Sequence, residues 1–362
     1  MVDDARWMRR ALEHARRGLG RTTPNPVVGA CVVSDEGVVI GQGAHEFAGG
    51  PHAEVNALDE AGSDARGATL YCTLEPCAHT GRTGPCSERI IAAGVRRVVA
   101  AMEDPFPLVR GRGFAALRAH GIAVDVGVEQ DAALRLNQPF LTSVWKGRPF
   151  VTLKAATSLD GRIAAGAGQR TALSSAPALR HAQYTRASVD AIGIGSGTLL
   201  VDDPILTARE VYRERPLARV IFDRRLRTPP SARVLSTLEA GPVIILTASE
   251  MVSASGTKVA ALRDAGATVH AVDGSGVGAA LRTLPAFGIQ SLVIEGGAEL
   301  HAAVWDEDLV DYVQLYVTPV WLGGRGVPLL AGRDFSSTAL LERHVEPLGP
   351  DVLIEGYVHW SH

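Results

Sequence analysis

Apolar runs rich in β-branched residues recur along this chain and alternate with stretches of helical period. That alternation is the strongest constraint on its architecture, because it is satisfied by layered α/β folds with a largely parallel sheet. In a first series, "VVGACVV" and "GVVIGQG", separated by Ser-Asp-Glu-Gly, predict a hairpin, and "ATLYCTL", "VRRVVAAME" and "GIAVDVGV" predict further strands. Helices are expected over 3–18, where Ala5, Met8, Leu12 and Ala15 share one side, over 52–62 closed by Gly62, over 87–94 ending at Gly94, and at about 112–120. A second series offers "FVTLKAATS", "VDAIGIG", "ARVIFD", "PVIILTA", "ATVHAV", "SLVIEGG" and "VQLYVTPV" as strands, with helices near 177–187, 256–265 and 298–305. Between the two, "NQPFLTSVWKGRPF" loses its period and is punctuated by Pro139, Gly147 and Pro149. The expected domains are therefore 1–146 and 147–362, each long enough for its own core.

Composition narrows the class. No tract of 18 apolar residues is uninterrupted, which excludes a membrane-spanning helix, and "MVDDARWMRRALEHARRGLG" carries charges where a signal peptide needs an apolar run. A cytoplasmic protein is expected. The balance of 36 basic against 39 acidic residues leaves a net charge of −3 and no electrostatic footprint for nucleic acid, so small molecules are the expected partners. Four cysteines are too few for a disulfide-built fold, which directs any clustered pair toward metal binding or catalysis.

Cys77 and Cys86 form such a pair, bracketing the polar turn of "EPCAHTGRTGPC" (75–86), and His52-Ala53-Glu54 opens the second helix. Successive helical residues turn by about 100°, so His52 can bind a metal while Glu54 reaches past it. Zinc suits one imidazole and two thiolates, with the fourth position kept for a water whose pKa falls to about 7. Glu54 is then placed to take that water's proton and return it to a leaving amine. Zinc deaminases combine His-x-Glu with Pro-Cys-x-x-Cys; here the second spacing is Cys-x8-Cys. A closed structural site, with His79 or Cys72 as fourth ligand, is the alternative, although Cys72 alternates with Leu70 and Leu74 and reads as core.

The string from Glu75 to Cys86, taken with "TTPNPVVGACVV" (22–33) and "GQGAHEFAGGPHAE" (41–54), resembles the bifunctional deaminase-reductases of riboflavin biosynthesis. The resemblance runs over nearly the whole chain. It implies a cytidine-deaminase-like three-layer α/β/α domain followed by a dihydrofolate-reductase-like α/β domain. It also implies one zinc on His52, Cys77 and Cys86, and a diamino-ribosylamino-pyrimidinone phosphate surrounded by Asn25, His45, His79 and Arg82, losing ammonia to leave a uracil. Taken singly, Asn25 between two prolines is also a common Asx-turn residue, and His45 and His79 also read as solvated loop residues.

In the second half, "DAIGIGSGTLLVDDPILTAR" (190–209) begins as a buried strand and ends in an acid-rich turn; Gly193, Gly195 and Gly197 do not satisfy the Rossmann fingerprint. "SLVIEGGAELHAAVW" gives a strand, two glycines and a helix whose first amides can receive a phosphate. With "LKAATSLDGRIA" and "DRRLRTPP", these segments resemble the reductase half of the same family, which implies hydride transfer from NADPH to the ribose C1′. By resemblance NADPH meets Ala156, Ala172, Thr198, Asp202, Arg224 and the run Gly297, Ala298, Glu299, Leu300, His301, Ala302 and Ala303. Arg170, Arg186, Ile205, Arg209 and Glu295 hold the substrate.

Lys154 and Asp202 are candidates for catalytic proton delivery; alternatively Lys154 bonds phosphate or hydroxyl groups and Asp202 orients the nicotinamide ribose. Arg224, Arg225 and Arg227 offer a contact to the cofactor's 2′-phosphate, or are a solvated surface. Where the family commonly has Ser-x-Trp-Ile, this chain reads Arg170-Thr171-Ala172-Leu173, and Gly84 stands where proline is common. The rival reading is a working deaminase with a weak or repurposed reductase half; a zinc-stabilised binding module is a third, opposed by the charge balance. A homodimer or higher homo-oligomer is expected.

Overall fold

Asp3 starts the first helix, its carboxylate accepting a hydrogen bond from the Arg6 N–H at 3.1 Å. Helix α1 (Asp4–Ala15) buries Met8, Leu12 and Ala15 of the expected stripe together with Trp7 and Ala11, while Ala5 is half-buried. The structure is a computed structural model that describes residues 3–78, 84–107 and 109–359. The chain divides into two compact units, Met1–Lys146 and Gly147–His362.

In the first unit, β1 (Gly29–Val33) and β2 (Val39–Ala44) form the predicted antiparallel hairpin, and β1 also pairs antiparallel with β3 (Thr69–Cys72). Strands β4 (Arg97–Ala100) and β5 (Ala123–Val126) continue in parallel, giving the order β2-β1-β3-β4-β5. Helices α2 (Ala53–Ala61), α3 (Cys86–Ala93) and α4 (Arg112–Ala119) occupy the predicted positions. Helix α2 lies so close to β2 that a Cβ on Gly43 would sit 2.4 Å from the Ala53 carbonyl oxygen. That approach sets the start of α2, and with it His52 and Glu54, over the sheet.

One expectation fails before the boundary. Most of the segment read as losing its period is helical, as α6 (Gln138–Lys146), which follows directly on α5 (Gln130–Leu136). Pro139 lies in the first turn of α6, where its missing N–H has no intrahelical partner to lose.

In the second unit a nine-stranded sheet has the order β11-β10-β9-β8-β12-β6-β13-β16-β15. Its parallel strands are β6 (Phe150–Thr157), β8 (Ala191–Gly195), β9 (Ala218–Phe222), β10 (Val243–Ala248), β11 (Ala267–Val272), β12 (Ser291–Ile294) and β13 (Tyr312–Val317). These are the predicted runs, nearly continuous in apolar residues because helices cover both faces. The helices are α7 (Ala176–Ser188), α8 (Ser196–Asp202), α9 (Ser249–Ala254), α10 (Gly256–Asp264), α11 (Val277–Leu281) and α12 (Ala298–Asp306). A small ladder pairs β7 (Arg162–Ala164) with β14 (Val327–Pro328).

Two elements differ from the sequence reading. Residues expected to form an acid-rich turn after β8 make helix α8, and the sheet ends in an antiparallel hairpin of β15 (Leu341–Leu348) and β16 (Asp351–Tyr357) that no pattern announced. Strand β15 is exposed over nearly its whole length, so neither of its faces requires the alternation that marks a strand. The edges of β6 and β13 are tied by the buried Arg148–Asp311 pair, with Asp311 also accepting from the Val151 N–H at 2.8 Å.

Candidate active sites

His52 is the extended residue preceding α2, Glu54 is the second residue of that helix, and Cys86 is the first of α3. Cys77 lies on the loop leaving β3. These elements bring three donors together: His52 Nδ1 is 3.1 Å from Cys86 Sγ and 3.6 Å from Cys77 Sγ, and all three atoms lie within 4.8 Å of one another. A tetrahedral ion with Zn–N and Zn–S bonds of about 2.0 and 2.3 Å sets such donors about 3.5 Å apart, so the set fits one zinc. Among the described residues no fourth His, Cys, Asp or Glu joins them. Cys72 instead is core, with its thiol toward the Val99 carbonyl. The Cys86 N–H donates to Cys77 Sγ at 3.3 Å, the backbone support expected of a helix start.

The electrostatics divide the roles. Glu54 is buried, and burial pushes its carboxyl up to about 7, against the opposing pull of His52. The Cys77 thiol is held below its ordinary range, chiefly by its hydrogen bond with Cys86, with His52 helping to outweigh burial. Cys86 is driven up by that same bond and by burial.

Beside this centre the His45 Nδ1 lies 2.9 Å from the Pro51 carbonyl, to which it must donate, leaving Nε2 to accept from Asn25 Nδ2 at 3.0 Å. The Asn25 carbonyl end therefore turns away from the imidazole. The His45 ring also stands edge-on to His52, with centroids 5.4 Å apart. His79 and Arg82 lie outside the described residues.

In the second unit, Lys154 and Ala156 share one face of β6, and Glu295 follows β12. Lys154 Nζ is 3.7 Å from Glu295 and 5.2 Å above the Tyr316 ring. Arg186, on α7, grips both Glu295 oxygens at 2.7 Å and donates to the Thr207 carbonyl at 2.9 Å. Arg186 and Glu295, both expected to hold the substrate, are also bonded to each other. Burial acts to raise the Glu295 carboxyl, but Lys154 and Arg186 hold it at about 2. Tyr316, fully buried and bonded through its hydroxyl to His181 Nδ1 at 2.8 Å, had no signal in the sequence beyond that of a strand residue.

Asp202 ends α8; burial raises its carboxyl and the charge of Arg170 opposes this. Thr198, one turn earlier, packs against the turn that opens α12: Gly297 has φ +87°, and a Cβ there would lie 2.8 Å from Thr198 Oγ1. Glycine at 297 therefore lets Thr198 pack against the turn, and the helix start that follows offers backbone amides able to receive a phosphate. Within the run to Ala303, the Ala298, Leu300, His301 and Ala302 side chains are buried and Glu299 is exposed. Ile205 is half-buried, while Arg170, Ala172, Arg209 and Arg224 are exposed. Arg224 donates to the Ser275 carbonyl and Arg227 to Ser196 Oγ.

Residues 1–102 match the model of the cytidine and deoxycytidylate deaminase zinc-binding region, and residues 149–354 that of the RibD C-terminal domain. The riboflavin biosynthesis protein RibD of Aquifex aeolicus is 40% identical over 353 residues, covering 97% of each chain. That of Escherichia coli is 37% identical over 369 residues, covering 98% of this chain and 99% of its own. Among solved structures, Acinetobacter baumannii RibD has a TM-score of 0.85 at 37% identity, covering 97% of this chain and 98% of its own. A diaminohydroxyphosphoribosylaminopyrimidine deaminase/5-amino-6-(5-phosphoribosylamino)uracil reductase from Thermotoga maritima has a TM-score of 0.83 at 35% identity, covering 97% of each chain. The first unit is cytidine-deaminase-like and the second has the dihydrofolate-reductase-like fold of the RibD C-terminal domain. Matched from end to end in sequence and in structure, the chain belongs to the RibD family of riboflavin biosynthesis proteins.

Proposed function

We propose that residues 1–146 deaminate 2,5-diamino-6-ribosylamino-4(3H)-pyrimidinone 5′-phosphate and that residues 147–362 reduce the resulting 5-amino-6-ribosylaminouracil 5′-phosphate at the ribose C1′, giving the ribityl product. The observation that carries this reading is the convergence of His52, Cys77 and Cys86 beside the buried Glu54. When bound there, zinc supplies an acidified water as nucleophile. Glu54, poised near neutrality, takes a proton from the attacking water and returns it to the departing ammonia. Asn25, oriented by His45, presents its carbonyl to the pyrimidine edge, with His79 and Arg82 completing the pocket.

In the reductase unit NADPH supplies the hydride. Lys154 delivers the proton to the ring oxygen as the sugar opens, and the Glu295 carboxylate, bolted by Arg186, fixes its position. Thr198, Asp202 and the backbone opening α12 hold the cofactor, with Ala156, Ala172 and Arg224 along its length; Arg170, Ile205 and Arg209 face the substrate. The alternative of a weak or repurposed reductase half draws no support, since residues 149–354 match the RibD C-terminal domain. We further propose a cytoplasmic homodimer or higher homo-oligomer acting on small molecules and not on nucleic acid. The net charge of −3 favours small molecules over nucleic acid, and the four free cysteines suit a reducing compartment.

Incubating the diaminopyrimidinone with and without NADPH tests the proposal. Ammonia is expected in both mixtures, with NADPH oxidised in step with it where present. Ammonia without NADPH oxidation removes the reduction, and absence of both removes the whole reading.

A further inference from the structure

Glu75 opens the cysteine motif but takes no part in either proposed site. It is 3% exposed, and its carboxylate faces backbone donors. Oε2 accepts from the N–H groups of Asp104 at 3.2 Å and Gly111 at 2.9 Å, and Oε1 from those of Gly113 at 2.9 Å and Phe114 at 3.3 Å. Gly111 to Phe114 are the cap and first turn of α4, whose amides lack intrahelical partners and whose dipole favours an anion. Asp104 folds the same loop inward by accepting from the Phe106 N–H at 2.8 Å.

The contact extends to the next residue. A Cβ on Gly113 would lie 1.9 Å from the Pro76 carbonyl oxygen, so only glycine lets α4 close on this segment. Cys77 follows, its carbonyl accepting from the Ser87 N–H at 3.0 Å and its sulfur from the Cys86 N–H at 3.3 Å. The cysteine is thus gripped from α3 on one side and, through Glu75 and Pro76, from α4 on the other.

We infer that Glu75 is a positioning residue for the metal centre: it pins Pro76–Cys77 to the start of α4, so that the Cys77 sulfur is set before an ion arrives. The inference rests on the reading of His52, Cys77 and Cys86 as zinc ligands. Gln at this position keeps the size but turns one acceptor into an NH2 facing amide donors. Partners that orient metal ligands are typically worth about 10–100-fold in metal affinity.

Zinc affinity by chelator competition, and the thiolate-to-cobalt absorption band of Co2+-loaded protein, are to be measured for wild type, Glu75→Gln, Gly113→Ala, Cys86→Ser and Leu117→Ala. Leu117 is a buried core residue of α4 and serves as the stability control. Glu75→Gln and Gly113→Ala are expected to weaken zinc binding about 10–100-fold and to alter the cobalt band, whereas Leu117→Ala lowers the unfolding midpoint and keeps wild-type affinity. Wild-type affinity in Glu75→Gln, or in Gly113→Ala where Glu75→Gln does not fold, overturns the inference. Equal weakening in Leu117→Ala also overturns it, by assigning the effect to general stability. Unchanged zinc in Cys86→Ser instead overturns the ligand reading beneath it.

Discussion

Replacing Glu295 by Gln probes the charge balance beneath the reductase site. The side chains of Glu295, Lys154 and Arg186 are only 9%, 13% and 15% exposed, so Gln would leave two cations facing each other where water barely reaches. Breaking a buried pair from one side costs about 3–5 kcal/mol. Titration leads to the same order: a carboxyl held at about 2 against an ordinary 4.5 corresponds to about 3 kcal/mol. Because the folded value is the lower one, the unfolded chain binds the extra proton as pH falls. The stabilisation is therefore complete above pH 4.5 and is lost as pH falls toward about 2. Hydrogen exchange of the β6, β8 and β12 amides, read by segment so that the two units are not averaged, is the assay. Glu295→Gln is expected to show a deficit of about 3 kcal/mol at pH 7 that falls to about half by pH 3. A deficit under about 1 kcal/mol at pH 7, or one that does not change with pH, refutes this account.

Three further outcomes are expected. Glu54→Ala lowers the rate of ammonia release by at least about 10²–10⁴-fold while zinc content by elemental analysis stays at wild type; undiminished release removes Glu54 from proton transfer. Chelation abolishes deamination yet leaves NADPH oxidation intact when 5-amino-6-ribosylaminouracil 5′-phosphate is supplied directly, and loss of both activities contradicts separate sites. Arg219→Met destabilises the second unit by about 2–4 kcal/mol, measured by exchange of the β9 and β10 amides. The fully buried guanidinium of Arg219 donates to the carbonyls of Thr237 and Gly241, which Met deprives of these donors, whereas the Pro242 carbonyl keeps the backbone N–H of residue 219 at 2.8 Å.

What could be read from the sequence follows from where the information lies. Parallel strands such as Ala191–Gly195 and Val243–Ala248 are covered on both faces, so burial alone writes them as apolar runs. Strand β15 pairs with one neighbour and exposes its side chains, which leaves Leu341–Leu348 with no alternation to detect. Pro139 and Gly147 are strong breakers in isolation, yet Pro139 sits in the one helical turn that tolerates it. The candidate metal donors His52, Cys77 and Cys86 are legible because few residue types ligate zinc and the two cysteines bracket one short polar turn. Arg186 and Glu295 lie 109 residues apart, and Glu75 bonds backbone that any sequence supplies. Such partners become visible only when the fold brings them together.

Three buried glutamates then show how surroundings assign function to one side chain. Glu54 is pushed up to about 7 by burial, against the pull of His52, which suits the proton shuttle proposed for it. Glu295 is flanked by two cations and stays a fixed charge through the working range, which suits it to steering Lys154 and disqualifies it as a proton donor. Glu75 instead spends both oxygens on the amides of a loop and a helix start. The environment separates the proposed roles: a buried carboxylate opposed mainly by one imidazole is a candidate acid, one flanked by two side-chain cations is an electrostatic anchor, and one that accepts from four backbone amides is a structural pin.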